Sequence, residues 1–528
     1  MLSVLITDSV HAVCAEMLQA AGFEARVELG RSPEELVELA GTADGWIIRS
    51  GTRITKPMIQ AASRLRVIGR AGVGVDNVDL AAATHRGVLV INAPAGNTIS
   101  TAEHTVAMLM SLARHIPAAT ASLKSGAWER KEFTGEEVFE KTIGIIGVGK
   151  IGQAVAERMK AFGMRILGYD PVLSPEVAAR AGIELVDLEA IYEGSDYITV
   201  HTPLNDATRG LLNADTLSRC RKGVGIINCA RGGIVDETDL LAALESGHVG
   251  GAALDVYSTE PAPESLHALI RHPRVVATPH IAASTGEAQE KVARQVTEQV
   301  IHALRGEPVM TAVNAMAIRM SAQPEVQPYL HLADQLGRIA QQLADGPARN
   351  LVVRCHGDIP RHYKDVLLVA ALKGIMNDMV TEQVNLVNAP VLSEEAGLQA
   401  DVQTFHAEGS YTNLVEVVLT TPVGEQAVAG TVFGANDVRI VRIDESWIEV
   451  KPEGALLFYR NVDRPGMLAN VGGLLAEGGI NIGALALGRT APGATALTAI
   501  STDEPVGAEM LASIRDLDGV TGVRHVLL

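Results

Sequence analysis

Cysteine is scarce in this chain. Four occur in 528 residues, Cys14, Cys220, Cys229 and Cys355, scattered without disulfide or metal-ligand spacing. Reduced thiols are therefore expected, with no disulfide scaffold and no metal centre. Long apolar runs are missing too, so no bilayer-spanning helix is expected. The opening MLSVLITDSV has no basic stretch and meets Asp8 early, so no secretory leader is expected and the cytoplasm is the expected location. Positive charge is in deficit: 44 Lys and Arg against 62 Asp and Glu leave −18. That balance argues against general attraction to nucleic acid or to an anionic membrane. An acidic protein that handles an anionic substrate must gather its cations locally. The chain does have 47% hydrophobic residues and a length that admits three or four domains.

The stretch that organises the rest is Thr142 to Gly152, TIGIIGVGKIG, followed about 20 residues on by Asp170 in ILGYDP. Ile143, Ile145, Ile146 and Val148 read as a strand. Ile151, Val155, Met159 and Phe162 then recur at helical spacing. Between them Gly147 permits a tight turn, Gly149 lets a pyrophosphate approach the backbone, and Gly152 lets helix and strand pack closely. The helix start offers unpaired N–H groups to phosphate. Asp170 stands where an acid accepts from a ribose hydroxyl pair, and Pro171 follows where an arginine would grip a 2′-phosphate, so NAD is expected rather than NADP. Gly69, Gly72 and Gly74 in GRAGVGVDN lack the third glycine and the long helix, and read as a loop.

Along the chain, short apolar runs at Val4–Ile6, Trp46–Ile48, Val67–Ile68 and Val88–Ile91 alternate with helical patterns at Ala12–Ala20 and Pro33–Ala40, the signature of a parallel sheet with crossover helices. Ser100 and Glu103 have capping-box spacing ahead of an apolar helix expected to bridge two domains. Strands are expected near Arg165–Tyr169, Tyr197–Val200, Val224–Cys229, Ala252–Val256 and Val275–Ala277. A helix with Val292, Val296, Val300 and Leu304 on one face, ended by Gly306, could return the chain to the first domain. Residues 321–450 read as mixed α+β without a catalytic motif: helices through Leu332–Leu343 and Val366–Met376, and strands at Asn413–Thr420, Ala427–Phe433 and Val438–Ile443. From about Gly454 the order strand, helix, strand, strand, helix, strand makes a small βαββαβ sheet.

Doubly wound sheets deliver ligands at the carboxyl ends of their strands. Three residues stand there: Arg231 in INCARGGIVD, Glu260 in ALDVYSTEP and His280 in ATPHIAAST. A guanidinium can hold a carboxylate with two parallel N–H bonds, and an imidazole can take the proton of a hydroxyl whose carbon yields a hydride. A carboxylate on the imidazole's far nitrogen stabilises the imidazolium and fixes the tautomer. Taken singly, each reads more readily as a surface cation, a solvated acid and a loop histidine; together, downstream of a dinucleotide fingerprint, they read as a catalytic set.

GIIGVGKIG with Asp170, HTPL at 201–204, NCARGGIVDE at 228–237, ALDVYSTEP at 253–261 and TPHIAAST at 278–285 resemble the D-2-hydroxyacid dehydrogenase family. The resemblance implies a flavodoxin-like substrate-binding domain at 1–97 and 286–318, a Rossmann-type NAD-binding domain at 98–285, an intervening α+β domain at 319–450, and an ACT-like regulatory domain at 454–528. It implies that Arg231 clamps the substrate carboxylate and carbonyl, that His280 is the general acid/base and that Glu260 is its partner. Gly147, Gly149, Lys150, Ile151, Gly152, Asp170, Thr202, Pro203, Cys229 and Ala230 would line the cofactor, with Asp255 near the nicotinamide carboxamide. Arg49, Ser50, Arg70, Gly72 and Asn97 match positions on the substrate side. Over the whole chain, the two extra domains included, the resemblance implies NAD-dependent oxidation of 3-phospho-D-glycerate, opening L-serine synthesis, in a homodimer or homotetramer. The alternatives are a glyoxylate, hydroxypyruvate or other 2-hydroxyacid reductase, or a non-enzymatic NAD-sensing regulator.

Arg130 and Lys131 in WERKEF are either further cations for the phosphate, supplied from a neighbouring subunit, or a solvated charge run. In RNVDRPGMLANVGGLLAEGGINIGAL, Asp463 could hold an ammonium and Asn481 a small polar ligand, with L-serine the effector the resemblance implies; otherwise Gly478 and Gly479 merely end a helix. Arg439 and Arg442, near Asn436, could bind an anion, or form an ordinary exposed strand face.

Overall fold

The computed structural model describes residues 1–321, 323–407 and 410–528, which build four sheets in succession. Apolar runs without polar alternation suit strands covered on both faces. β1 (Ser3–Ile6), β2 (Glu24–Val27), β3 (Gly45–Ile48), β4 (Val67–Arg70) and β5 (Leu89–Ile91) are such strands, apart from the exposed edge β2. All pair in parallel, in the flavodoxin-like order β2-β1-β3-β4-β5.

The second sheet contains β6 (Thr142–Ile146), β7 (Arg165–Tyr169), β8 (Glu184–Leu185), β9 (Tyr197–Val200), β10 (Val224–Asn228), β11 (Val249–Leu254) and β12 (Val275–Ala277). It is also parallel throughout, ordered β12-β11-β10-β9-β6-β7-β8. Strand order reverses between β6 and β9, which opens a crevice at their carboxyl ends. Both sheets thus have the doubly wound topology expected.

Two long helices tie these sheets together. Helix Gly286–Arg305 ends on Gly306 at φ 73°, as its sequence predicts, and lies on the first sheet. A Cβ on Gly69 would come within 2.6 Å of Val300 and 2.9 Å of Val296, so that strand position admits the helix only without a side chain. Helix Thr98–Ala113 departs from expectation at its start. No capping box forms: the helix begins ahead of Ser100, whose Oγ donates to Asn97 O at 3.0 Å from within the first turn. Glu103 points outward to Arg158 at 3.2 Å. Its buried side chains Ala102, Met108, Leu109 and Leu112 pack against the second sheet.

The third sheet is mixed: β13 (Asn350–His356), β14 (Gln399–Phe405), β15 (Leu414–Thr420), β16 (Glu425–Phe433), β17 (Asp437–Ile443) and β18 (Ser446–Val450), ordered β14-β13-β15-β16-β17-β18. Strand β14 had no apolar signal because it is an exposed edge. Helices Gln327–Leu343 and Lys364–Met376 cover one face of this sheet, and its core includes Leu332, Leu336 and Ile375. The fourth sheet, β19 (Ala455–Val462), β20 (Ile482–Arg489), β21 (Thr495–Thr502) and β22 (Val520–Leu527), is antiparallel in the order β20-β21-β19-β22, with helices Met467–Glu477 and Ala508–Arg515. Its other face is not solvated: Leu456, Phe458, Leu497, Ala499 and Val526 join the core of the third sheet. Among the described residues no helix is long and apolar enough to cross a membrane.

The two helices over the third sheet touch backbone to backbone. A Cβ on Gly337 would stand 2.3 Å from Ala371 O, and one on Gly374 2.1 Å from Asp334 O. A methyl at either position must push the helices apart. Gly337→Ala and Gly374→Ala are each expected to cost about 1–3 kcal/mol, read as a lower midpoint of urea unfolding; an unchanged midpoint would mean that the helices are not in backbone contact.

Candidate active site

The crevice at the switch point is shaped by glycine. Gly147 leaves β6 at φ 92°, and a Cβ there would lie 2.6 Å from His201 O. A Cβ on Gly152 would lie 2.2 Å from Gly147 O, so strand and helix meet only because both residues lack side chains. Helix Lys150–Ala161 starts from Gly149 with no side-chain cap and nothing within 4 Å of a Cβ built on that residue. Its first-turn N–H groups therefore face open space with a positive helix end behind them. Lys150 is exposed at this start and Ile151 half-buried. The Asp170 carboxylate stands beside the turn, accepting from Val148 N at 2.9 Å, Val172 N at 2.9 Å and Leu173 N at 3.1 Å. Opposite, Thr202 and Pro203 follow β9; Thr202 Oγ1 is buried without a partner. His201 is half-buried, and desolvation of its ring lowers its pKa to about 4, so this wall carries no imidazolium. Cys229 and Ala230 follow β10, and burial with the charge of Asp255 pushes the Cys229 thiol up to about 12. An uncapped helix start, a cradle that a Cβ would fill and an orphaned hydroxyl fit a dinucleotide.

Three strand ends deliver the reactive side chains. His280 follows β12, with φ 54° in the left-handed region, and its Nδ1 lies 2.7 Å from Glu260 Oε2. Burial pushes the Glu260 carboxyl up, but hydrogen bonds from His280 and from Tyr257 N outweigh it and hold the group below the usual carboxylate range. Arg231 follows β10; its Nη1 donates to Ala230 O at 2.6 Å, and its Nε pairs with Asp76 Oδ2 at 3.1 Å. Asp76 belongs to the loop after β4 in the first sheet, so this ion pair spans the cleft. Gly74 lies under the same guanidinium, where a Cβ would stand 1.9 Å from Arg231 Nη2.

The opposite wall of the cleft assembles around Arg70. Burial lowers its pKa to about 10, and the positive charges of Arg231 and Arg49 push the same way. Its Nε is buried without a hydrogen-bond partner. A Cβ on Gly72 would fall 1.5 Å from Arg70 Nη1, so the guanidinium lies over a bare backbone. The loop Arg49, Ser50, Gly51, Thr52 is pinned by Asp8, which accepts from Arg49 N and Thr52 N, and by Asn77 Nδ2, which donates to Arg49 O and Thr52 O at 2.6 Å each. Asn97 Oδ1 is buried without a partner.

Other candidates lie apart. Arg130 and Lys131 are exposed in the turns after helix Ile116–Lys124, with no side-chain hydrogen bond or ion pair to this cluster among the described residues. Asp463 accepts from Arg489 Nη1 at 3.2 Å and Gly493 N at 3.1 Å, while Asn481 Nδ2 donates to Asp503 Oδ2 at 2.6 Å. Arg439 pairs with Asp437 at 2.7 Å, and Arg442 pairs with Glu416 and lies over Trp447, so both have partners within the chain. Asp255 is fully buried and accepts from four groups. Sequence reasoning missed Asp8, Asp76 and Asn77. Asp8 follows β1 and was detectable by the strand-end rule, whereas Asp76 and Asn77 sat in a stretch read as plain loop.

The fold and this cleft define a class, the NAD-dependent dehydrogenases of 2-hydroxyacids. Residues 106–282 match the family model described as D-isomer specific 2-hydroxyacid dehydrogenase, NAD binding domain; 325–444 match the D-3-phosphoglycerate dehydrogenase intervening domain, and 455–519 the ACT domain. A D-3-phosphoglycerate dehydrogenase of Synechocystis is 40% identical over 100% of this chain and 95% of its own, and one of Homo sapiens 42% identical over 91% of each. The solved D-lactate dehydrogenase of Aquifex aeolicus, complexed with NAD and lactic acid, superposes with a TM-score of 0.53 at 28% identity, over 57% of this chain and 96% of that one. The chain belongs to the D-3-phosphoglycerate dehydrogenase family.

Gly72→Ala tests the geometry of the arginine cluster. The added methyl displaces the Arg70 guanidinium, and losing a charge-assisted hydrogen bond worth about 1.5–3 kcal/mol is expected to raise KM for the hydroxyacid roughly 10- to 100-fold. The dissociation constant for NADH, read by fluorescence, should not move. An unchanged KM would place Arg70 outside the substrate's reach.

Proposed function

We propose that this protein oxidises 3-phospho-D-glycerate to 3-phosphohydroxypyruvate with NAD, the first step of L-serine synthesis. The observation that carries this reading is the gathering of Arg49, Arg70 and Arg231 in a chain of charge −18, with a histidine paired with an acid at a strand end of the sheet that carries Arg231. A carboxylate at one end of a small substrate and a phosphate at the other need such a cluster, and an uncharged substrate does not.

NAD bound at the Gly147–Gly152 turn supplies a nicotinamide carbon that takes the hydride from C2. Arg231 holds the substrate carboxylate, its Nε engaged by Asp76 and its Nη2 free of protein acceptors among the described residues. His280 donates through Nδ1 to Glu260, which leaves Nε2 as the base for the C2 hydroxyl proton. The ionised Glu260 then stabilises the imidazolium. Arg49, Arg70, Ser50, Gly72 and Asn97 take the phosphate end. Arg130 and Lys131 serve it only from a neighbouring copy, in keeping with a homodimer or homotetramer. We divide the chain into 1–97 with 286–318 for substrate, 98–285 for NAD, 319–450 as intervening domain and 454–528 as regulatory domain, a reading that the succession of four sheets supports. Asp463 and Asn481 would receive L-serine by exchanging their present partners. A likeness to ACT domains supports an amino-acid effector.

NADH formation from 3-phosphoglycerate should far exceed that from glycerate or 2-hydroxyglutarate. Preference for an unphosphorylated acid would make it a different reductase, and no turnover a regulator. Arg49→Ala should raise KM roughly 10- to 100-fold for the phosphorylated acid and little for glycerate; equal effects would refute phosphate binding.

The acid–imidazole pair sets a pH dependence. Because the Glu260 pKa is depressed, its pairing is fully present above the ordinary carboxylate range and lost only as pH falls through the lower folded value. Glu260→Gln removes that anion from the pair, so kcat/KM should fall and should no longer show the decline with falling pH that follows protonation of Glu260. A profile identical to the parent's would remove Glu260 from its role as partner.

A further inference from the structure

His280 sits in a backbone conformation that a non-glycine residue rarely adopts, and something must hold it there. A φ of 54° is strained for a residue with a side chain and persists only where neighbouring structure imposes it. The restraint is Asp255. Fully buried at the end of β11, this carboxylate accepts from Thr278 Oγ1 at 2.6 Å, two residues before His280, and from Ile281 N and Ala282 N at 2.9 Å each, directly after it. Both flanks of the histidine are thereby tied to one side chain.

A buried carboxylate in turn needs a partner, since an uncompensated charge in the interior is strongly unfavourable. Among the described residues the nitrogen-bearing side chain that reaches it is His104, whose Nε2 lies 3.3 Å from Asp255 Oδ1 and 3.2 Å from Thr278 Oγ1. His104 belongs to helix Thr98–Ala113, which is anchored on the second sheet through Met108, Leu109 and Leu112. Burial alone would raise the Asp255 pKa, yet His104, Thr278 and the two backbone N–H groups together hold it below the usual value. The carboxylate therefore stays an acceptor for the loop.

We infer that His104 is a positioning residue: through Asp255 and Thr278 it holds the His280 loop against the Thr98–Ala113 helix, so that His280 meets the substrate hydroxyl at the correct distance. This inference rests on the reading of His280 as the general base. His104 makes no hydrogen bond to Arg231, Arg49 or Arg70, so its loss should act on turnover and leave binding of the acid alone. The Nε2 atom of a glutamine reaches about as far along the side chain as that of histidine and carries a donor, whereas alanine carries none.

The test uses full-length His104→Ala, His104→Gln and His280→Asn. In His104→Ala, kcat should fall roughly 10- to 100-fold with KM for 3-phosphoglycerate and the NADH dissociation constant within about threefold of the parent. The deuterium isotope effect with C2-deuterated substrate should rise as the chemical step becomes rate-limiting. His104→Gln should recover most of kcat. An unchanged kcat in His104→Ala overturns the inference, as does a loss shared by kcat, KM, NADH affinity and melting temperature that glutamine does not repair. If His280→Asn retains parental turnover, the general-base reading fails first; if it is inactive while His104→Ala is unaffected, only the positioning role fails.

Discussion

Much of this molecule depends on one ion pair, Arg231 with Asp76, at 3.1 Å across the cleft between the first two sheets. Each partner sits in a loop beyond the carboxyl end of a parallel strand, and the two strands belong to different sheets. The pair therefore bridges the two walls of the cleft, whose sheets are tied together by helices Thr98–Ala113 and Gly286–Arg305. Arg231 is pre-aimed by it: one nitrogen is committed to Asp76, another to the Ala230 carbonyl, and Gly74 supplies the bare backbone that lets the guanidinium lie flat. A clamp ordered before substrate arrives loses less entropy when it closes.

Charge is handled by concentration. The protein as a whole is strongly acidic, yet three arginines converge at the cleft, and their mutual repulsion helps lower the pKa of half-buried Arg70. Asp8 and Asp76 moderate that repulsion and also shape the loops. Asp8 bonds the backbone of Arg49 and Thr52, so a single carboxylate both tempers the cluster and sets the position of one of its members. The unpartnered Nε of Arg70 and Oδ1 of Asn97 are what a polar site looks like before a ligand satisfies it.

The C-terminal half is built on a different plan. The third and fourth sheets share a core, and Gln342 clasps the main chain of Leu527 at both ends, with Nε2 donating at 3.0 Å and Oε1 accepting at 2.9 Å. At the other end of the intervening domain, Asn385 Nδ2 donates to Gly87 O at 2.9 Å and His85 lies 3.1 Å from Glu395, contacts that reach the first sheet. The antiparallel sheet at the end of the chain is thus connected through packed elements to the substrate side.

Periodicity and glycine spacing made the two doubly wound sheets, the returning helix at Gly286–Arg305 and the βαββαβ terminus legible in advance, because burial on a sheet or helix face leaves its period in the residues themselves. Gly147, Gly149 and Gly152 were equally plain, since the turn they form is a local backbone requirement. Edge strand β14 was not, for an exposed strand carries no apolar pattern, and Ser100 with Glu103 mimicked a capping box that the helix starts ahead of. Asp76, Asn77 and His104 could not be singled out either. Their partners lie between 25 and 174 residues away, at Thr52, Arg49, Arg231, Asp255 and Thr278. Chemistry that depends on distances between remote loops leaves no spacing along the chain, and it came into view only in the folded molecule, around a single sheet for Asn77 and for His104 and across the cleft for Asp76.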